Sequence, residues 1–352
     1  MENHLRLTPP GGWPEDPRLP WTPPGGLLRK LLPDPFILVL ILTVVLASVL
    51  PVSGAAAAAV SVVATIAIVF LFFLHGVRLP RENLVAALGH WRLHLAILAT
   101  TFVVFPLLGL GLASAFPGLL PQQLWIGVLF LCALPSTVQS SIAFTSIARG
   151  NIAGTVASAA ASNLVGILLT PVIMNLLAHA HGGGISFSGV WTIVLQLLLP
   201  FVGGHLLRPW LGALVARRKA VLSFTDRSTI VLAVYSAFSA AVIGGIWSQV
   251  PLPRLMLLIA LCAFILTAIL LLTRYAARAM GFSKEDEISI VFCGSKKSLV
   301  SGVPMARVLF SAADVGAAVL PVMIFHQMQL MVCAWLARRY GARAGGTDES
   351  ES

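Results

Sequence analysis

Long apolar stretches recur along this 352-residue chain, parted by short polar segments that hold most of its charge. An α-helix rises about 1.5 Å per residue, so about 20 mostly apolar residues cross the hydrocarbon core of a bilayer. Ten stretches come near that length: 35–52, 55–75, 93–113, 123–147, 152–178, 187–207, 227–247, 252–273, 287–309 and 315–337. They predict an all-α polytopic membrane protein, one ten-helix domain over 35–340. Residues 1–34, rich in proline, glycine and polar residues, and the polar tail 341–352 read as disordered cytoplasmic arms. Arg29-Lys30 ahead of an apolar run loosely resembles a signal peptide. The run is long for a signal core and a second span follows at once, so it is read as a retained first helix.

Two of the ten spans are broken by polar residues. The fourth carries Pro135-Ser136-Thr137-Val138-Gln139-Ser140-Ser141, and the ninth carries Gly294-Ser295-Lys296-Lys297-Ser298. Proline lacks an N–H and kinks or ends a helix, and the residues after it can line the opened backbone. Charge in the hydrocarbon region is costly unless it faces a wet cavity or a partner. Lys296 and Lys297 therefore mark a pathway or a site, unless one of them runs its stem out to the interface. Such a lysine can attract an anionic ligand, stand in for a bound cation, or exchange protons. Ten spans divide into two sets of five, about 35–178 and 187–338. A five-span unit repeated in tandem must insert inverted, and the two breaks fall at the fourth span of each set.

Other polar positions carry weaker signals. Thr155, Ser158, Ser162 and Asn163 in the fifth span suit either close packing or a site, with packing favoured for Ser162. His326, Gln327 and Gln329 lie in the tenth; a membrane histidine can relay protons, but more often it bonds a neighbour. Of these, His326 and Gln327 are retained as candidates. Thr100 and Thr101 before Pro106, and Tyr235, Ser236 and Ser239, are weaker still.

The charge pattern sets orientation. Charged residues are 10% of the chain against about 25% in a soluble domain. With the N-terminus in the cytoplasm, 19 of the 23 Lys and Arg fall in cytoplasmic segments, and only Arg254 and Arg307 lie outside. This positive-inside bias places both termini in the cytoplasm of a cell (inner) membrane. It reads the net charge of +10 as orientation and lipid-surface charge, not as a nucleic-acid footprint. All thirteen carboxylates lie outside the predicted interior, so none is available there to hold a cation or relay a proton. Cys132, Cys262, Cys293 and Cys333 sit in apolar stretches without metal-ligand spacing. No GxSxG, HExxH or P-loop is present. Ser295 beside Lys296 raises a Ser-Lys hydrolase only by adjacency, which is not the geometry that chemistry needs.

The Pro135–Ser141 break, the Ala148-Arg149-Gly150-Asn151 loop, the stretch Ile288 to Ser298 and Asp226-Arg227-Ser228-Thr229-Ile230 resemble the bile acid:sodium symporter superfamily. The likeness covers about residues 35–340, and it is nearer to the divergent bacterial branch related to the seventh member of human solute carrier family 10. It implies inverted repeats of five helices, with a core of helices 3, 4, 5, 8, 9 and 10 and a panel of helices 1, 2, 6 and 7. Helices 4 and 9 would be broken and would cross at the centre. It also implies sodium ligands after the helix 4 break and in helix 5, which fall here on Ser140, Ser141, Thr155 and either Ser158 or Ala159. Where relatives have Gln-Asn in helix 9, this chain has Lys296-Lys297, and their acidic ligand falls near Val291 or Phe292. That departure leaves the coupling ion, sodium or proton, open. The expected function is secondary transport of an organic, anionic solute by alternating access, with no cofactor. The rivals are a non-transporting membrane regulator and the Ser-Lys enzyme.

Overall fold

The computed structural model describes residues 35–78, 90–180, 194–245, 250–312 and 314–342, and among them every regular element is a helix. The arms at 1–34 and 343–352 lie outside the described residues, as does the first part of the expected sixth span. The helices are α1 (Pro35–Val49), α2 (Gly54–Arg78), α3 (Trp91–Ala115), α4 (Gln122–Ala133), α5 (Gln139–Ile147) and α6 (Ile152–Ala180). Then follow α7 (Leu199–Leu206), α8 (Arg208–Arg217), α9 (Lys219–Ile243), α10 (Leu252–Ala279), α11 (Lys284–Gly294), α12 (Leu299–Leu309) and α13 (Val315–Gly341). Six of the described helices are long and apolar enough to cross a bilayer, or seven if a bent pair counts as one span. Leu42, Ile66 and Phe264 are among the large apolar side chains left on the surface, as lipid-facing residues must be. The chain is thus a polytopic membrane protein.

Several helices outrun the apolar stretches that announce them. α9 begins at Lys219 and α13 runs to Gly341, because bilayer thickness limits the apolar length and not the helix. A helix not anticipated, α8, leaves the preceding one at 93°. Pro209 in its first turn starts a new helix more readily than it continues an old one.

The helices pack in two groups. α2 lies against α7 and α9, and α1 against α9. α3, α4, α5, α6, α10, α11, α12 and α13 form the other group, in which α13 touches α4, α5, α10 and α12. The groups meet where α9 packs on α12 and α13, and where Arg307 of α12 donates to Ser61 of α2 at 3.0 Å. α2 and α7 approach backbone to backbone. A Cβ on Gly76 would lie 1.9 Å from the Phe201 carbonyl oxygen, and one on Gly204 would lie 2.0 Å from that of Phe73. Only glycine fits such a contact, the usual close approach of membrane helices.

Candidate functional site

Two helices stop in the middle of the larger group and restart a few residues later. α4 ends at Ala133 because Pro135 forces Leu134 into extended backbone (φ −67°, ψ 152°), and α5 begins at Gln139. α11 ends at Gly294, and α12 begins after Ser298, whose hydroxyl caps it by accepting the Ser301 N–H at 3.2 Å. The two breaks touch directly. Ser298 N–H donates to the Pro135 carbonyl at 2.9 Å, and the Ser136 hydroxyl donates to the carbonyl of Cys293. Ser141 donates to the carbonyl of Phe292 at 3.1 Å.

A helix end leaves carbonyls without partners, and in a buried site each must find another donor. Here neighbouring spans supply them. Thr170 donates to the Ala133 carbonyl at 2.9 Å, and Asn163 Nδ2 donates to that of Ser136 at 2.8 Å. Asn163 Oδ1 in turn accepts from Ser301 at 2.8 Å, so one amide of α6 ties both breaks together. Ser162 accepts the Ser136 N–H at 3.0 Å.

Both lysine side chains are fully buried, with 0% of their surface exposed, but their ends go to different places. The Lys297 ammonium donates to three backbone carbonyls, those of Thr101 (2.8 Å), Cys132 (2.7 Å) and Leu134 (2.7 Å). It also lies 4.1 Å from the Phe105 ring centroid. The Lys296 ammonium sits over the Phe144 ring of α5, 3.8 Å from its centroid, and has no hydrogen-bond partner among the described residues. A cation over a ring gains about 0.5–2 kcal/mol, far less than three charge-assisted hydrogen bonds supply. One ammonium is therefore saturated and the other is left with three protons to give.

Residues absent from the candidate list turn out to shape the site. Gln329 is fully buried; its Oε1 accepts the Lys297 N–H at 2.9 Å and its Nε2 donates to the Lys297 carbonyl at 2.9 Å. The backbone thus fixes which way this amide points. Nε2 also donates to His326 Nδ1 at 2.9 Å, which makes that nitrogen an acceptor. Thr101 lies in a π-helical turn, Thr100–Val104, just before Pro106. In the wider i to i+5 register its carbonyl would face the N–H of Pro106, which does not exist, so it is free for Lys297.

The candidates divide accordingly. Thr137, Ser140 and Ser141 form one hydroxyl chain, with Thr137 Oγ1 2.7 Å from Ser140 and 3.1 Å from Ser141, while the Ser136 hydroxyl goes to Cys293 instead. Gln139 opens α5 with an exposed side chain. Thr155 joins Thr145 at 3.2 Å, while Ser158 is bonded to Nδ1 of His94 on α3 at 2.6 Å. The Ser295 hydroxyl donates to the carbonyl of Val291 at 2.6 Å and pairs with no amine among the described residues, which removes the geometric basis for a Ser-Lys enzyme. Gln327 keeps a buried Oε1 without a partner among the described residues, and Gln329 is the glutamine that reaches the break. No cluster of His, Cys, Asp or Glu fit to hold a metal ion exists among the described residues.

Against this geometry, one family model matches residues 34–342, nearly all of the helical body. The chain belongs to the SBF-like CPA transporter family. Relatives of this family member include PA2026, an uncharacterized protein of Pseudomonas aeruginosa, 55% identical over 89% of this chain and 95% of the relative. YfeH of Escherichia coli (strain K12), proposed by its name to be a symporter, is 50% identical over 87% of this chain and 92% of its own. Sodium/bile acid cotransporter 7-B of Xenopus laevis is 26% identical over 87% and 91%. The SBF-like family is one of transporters and not of enzymes, and it lies within the superfamily that the two breaks resemble.

Proposed function

We propose that this chain is a secondary transporter that moves an organic anion across the inner membrane by alternating access, with its binding site at the crossing of the two interrupted spans. The observation that carries this reading is the Lys296 ammonium, wholly buried at that crossing and without a hydrogen-bond partner among the described residues. A buried charge left unpaired is expensive, and an arriving anion would supply the missing acceptor. The hydroxyls of Thr137, Ser140 and Ser141 lie at the adjoining break, their protons spent on one another and on the Phe292 carbonyl, so the free donors of the site are those of the ammonium.

In this reading ten spans form two inverted sets of five, with both termini cytoplasmic. α4 with α5, and α11 with α12, are the fourth span of each set. The group of α1, α2, α7 and α9 rocks against the rest. α12 is then the outer half of its span, so the joint of α9 on α12, and of Arg307 on Ser61, lies on the outer side and must open for outward access. The names of the relatives favour symport, and Ser140, Ser141 and Thr155 remain the residues at which a coupling sodium would sit. Proton coupling is the competing mode.

The test is uptake into proteoliposomes of a labelled panel: a bile salt, a monocarboxylate, a dicarboxylate and an aryl sulfate, each with sodium or choline outside and at two pH values. At least one anion should accumulate in wild-type vesicles, and Lys296→Met should lower its uptake at least tenfold. Equal uptake by the two proteins, or none of any anion by the wild type, would defeat the proposal.

A further inference from the structure

The saturated lysine points to a second site, of different chemistry from the anion site and sharing no residue with the hydroxyl set Ser140, Ser141 and Thr155. Three carbonyl oxygens from two spans converge on one point, 2.7–2.8 Å from the nitrogen that occupies it. Each is free for a local reason. Thr101 is released by Pro106, as described. α4 ends at Ala133, and the N–H of Ser136, which would continue the ladder to the Cys132 carbonyl, is given to Ser162. Leu134 is the extended residue of the break itself. The point also lies at the C-terminal end of α4, where the helix dipole is negative. Uncharged carbonyls replacing a hydration shell are how proteins hold bare monovalent cations, and oxygen distances near 2.7–2.8 Å suit potassium and ammonium better than the smaller sodium ion.

We infer that the cage of the Thr101, Cys132 and Leu134 carbonyls is a monovalent-cation site whose resident cation is the chain's own Lys297 ammonium. The three protons of the ammonium meet three acceptors, so the wild-type cage is full and has no place for an added ion. Removing the nitrogen while keeping its stem opens a vacancy of one cation. Lys297→Met does this, since its terminal methyl falls one atom short of the amine. Lys297→Ala opens a longer slot, the shape of a propylammonium ion. The inference does not rest on the transport reading, because occupancy is measured without flux.

The experiment is thermal unfolding of the full-length chain in detergent, at constant ionic strength, with choline replaced stepwise by potassium, ammonium or sodium. Melting of the wild type should stay within about 1 °C across all four salts. Lys297→Met should gain about 3 °C or more, saturably, with potassium and ammonium ahead of sodium. Lys297→Ala should respond in the same way to propylammonium. The idea is overturned if both variants respond no more than the wild type does. It is equally overturned if neither can be recovered folded in potassium-rich buffer, because the added cation ought to supply the charge that was removed.

Discussion

Gln329 offers the sharpest test of how the break between α11 and α12 is held open. Its amide grips the Lys297 main chain from both sides, accepting the N–H and donating to the carbonyl, each at 2.9 Å. Gln329→Leu keeps most of the volume and removes both partners. A buried polar group left without a partner costs about 1–3 kcal/mol, so two such groups set a range of about 2–6 kcal/mol. His326 Nδ1, 3.4 Å from the same carbonyl, can move its proton and recover part of one bond, which brings the expected loss to about 2–4 kcal/mol. In thermal unfolding of a chain this long this should read as a drop of roughly 3–5 °C. Both lysines hang from this stretch of backbone. Uptake by Gln329→Leu should therefore fall even when measured well below its melting temperature. A Leu variant that melts within about 1 °C of the wild type would show that the grip stabilises nothing, and the account of the break would fail.

Other positions give independent checks. Lys296→Met should melt at or above the wild-type temperature, because it removes a desolvated charge with no hydrogen bond to lose; a marked drop in melting would show a structural role instead. Phe144→Leu should cost about 0.5–2 kcal/mol in the wild type and much less in the Lys296→Met background, and a double-mutant cycle of melting curves that finds no coupling would dismiss the ring as the amine's seat. Asn163→Ala unties the Ser136 carbonyl from Ser301 and should destabilise by about 1–3 kcal/mol, read by the same method. Gly204→Val places side-chain atoms against the Phe73 carbonyl and should abolish a monodisperse peak in detergent chromatography; normal elution would mean that α2 and α7 can separate without loss.

Much of this plan can be read from residue order because its signals are local. Apolar length marks the helices, Pro135 marks the end of α4, and two adjacent lysines in an apolar run mark the break between α11 and α12 at once. The destinations of the amines are not local. They depend on which carbonyls other spans leave unpaired, and Thr101 becomes available only through the π-turn ahead of Pro106. The glutamine in α13 shows the same limit. His326 and Gln329 stand three residues apart and share a helix face, whereas Gln327 is turned about 100° from His326. Phase alone pairs His326 with Gln329, but it does not say that this face meets the break.

Adjacency misleads most at the lysines themselves. Neighbours in sequence invite being treated as one charge at one site, although even in a regular helix they would point about 100° apart. Residues 295–298 are not helical, and the two stems part, one toward the end of α4 and the other toward the ring of Phe144. The saturated ammonium satisfies three carbonyls, so its loss should act first on stability. The unpaired one satisfies nothing, so its loss should act first on flux. Exchanging the chemistry at each position separates these roles better than deleting it. Arginine at 297 cannot fit its planar fork to a three-oxygen cage sized for one ammonium and should destabilise the fold. Arginine at 296 keeps the charge and its donors and should retain some uptake. If the two substitutions behaved alike, the division of labour between these lysines would be wrong, whatever the chain transports.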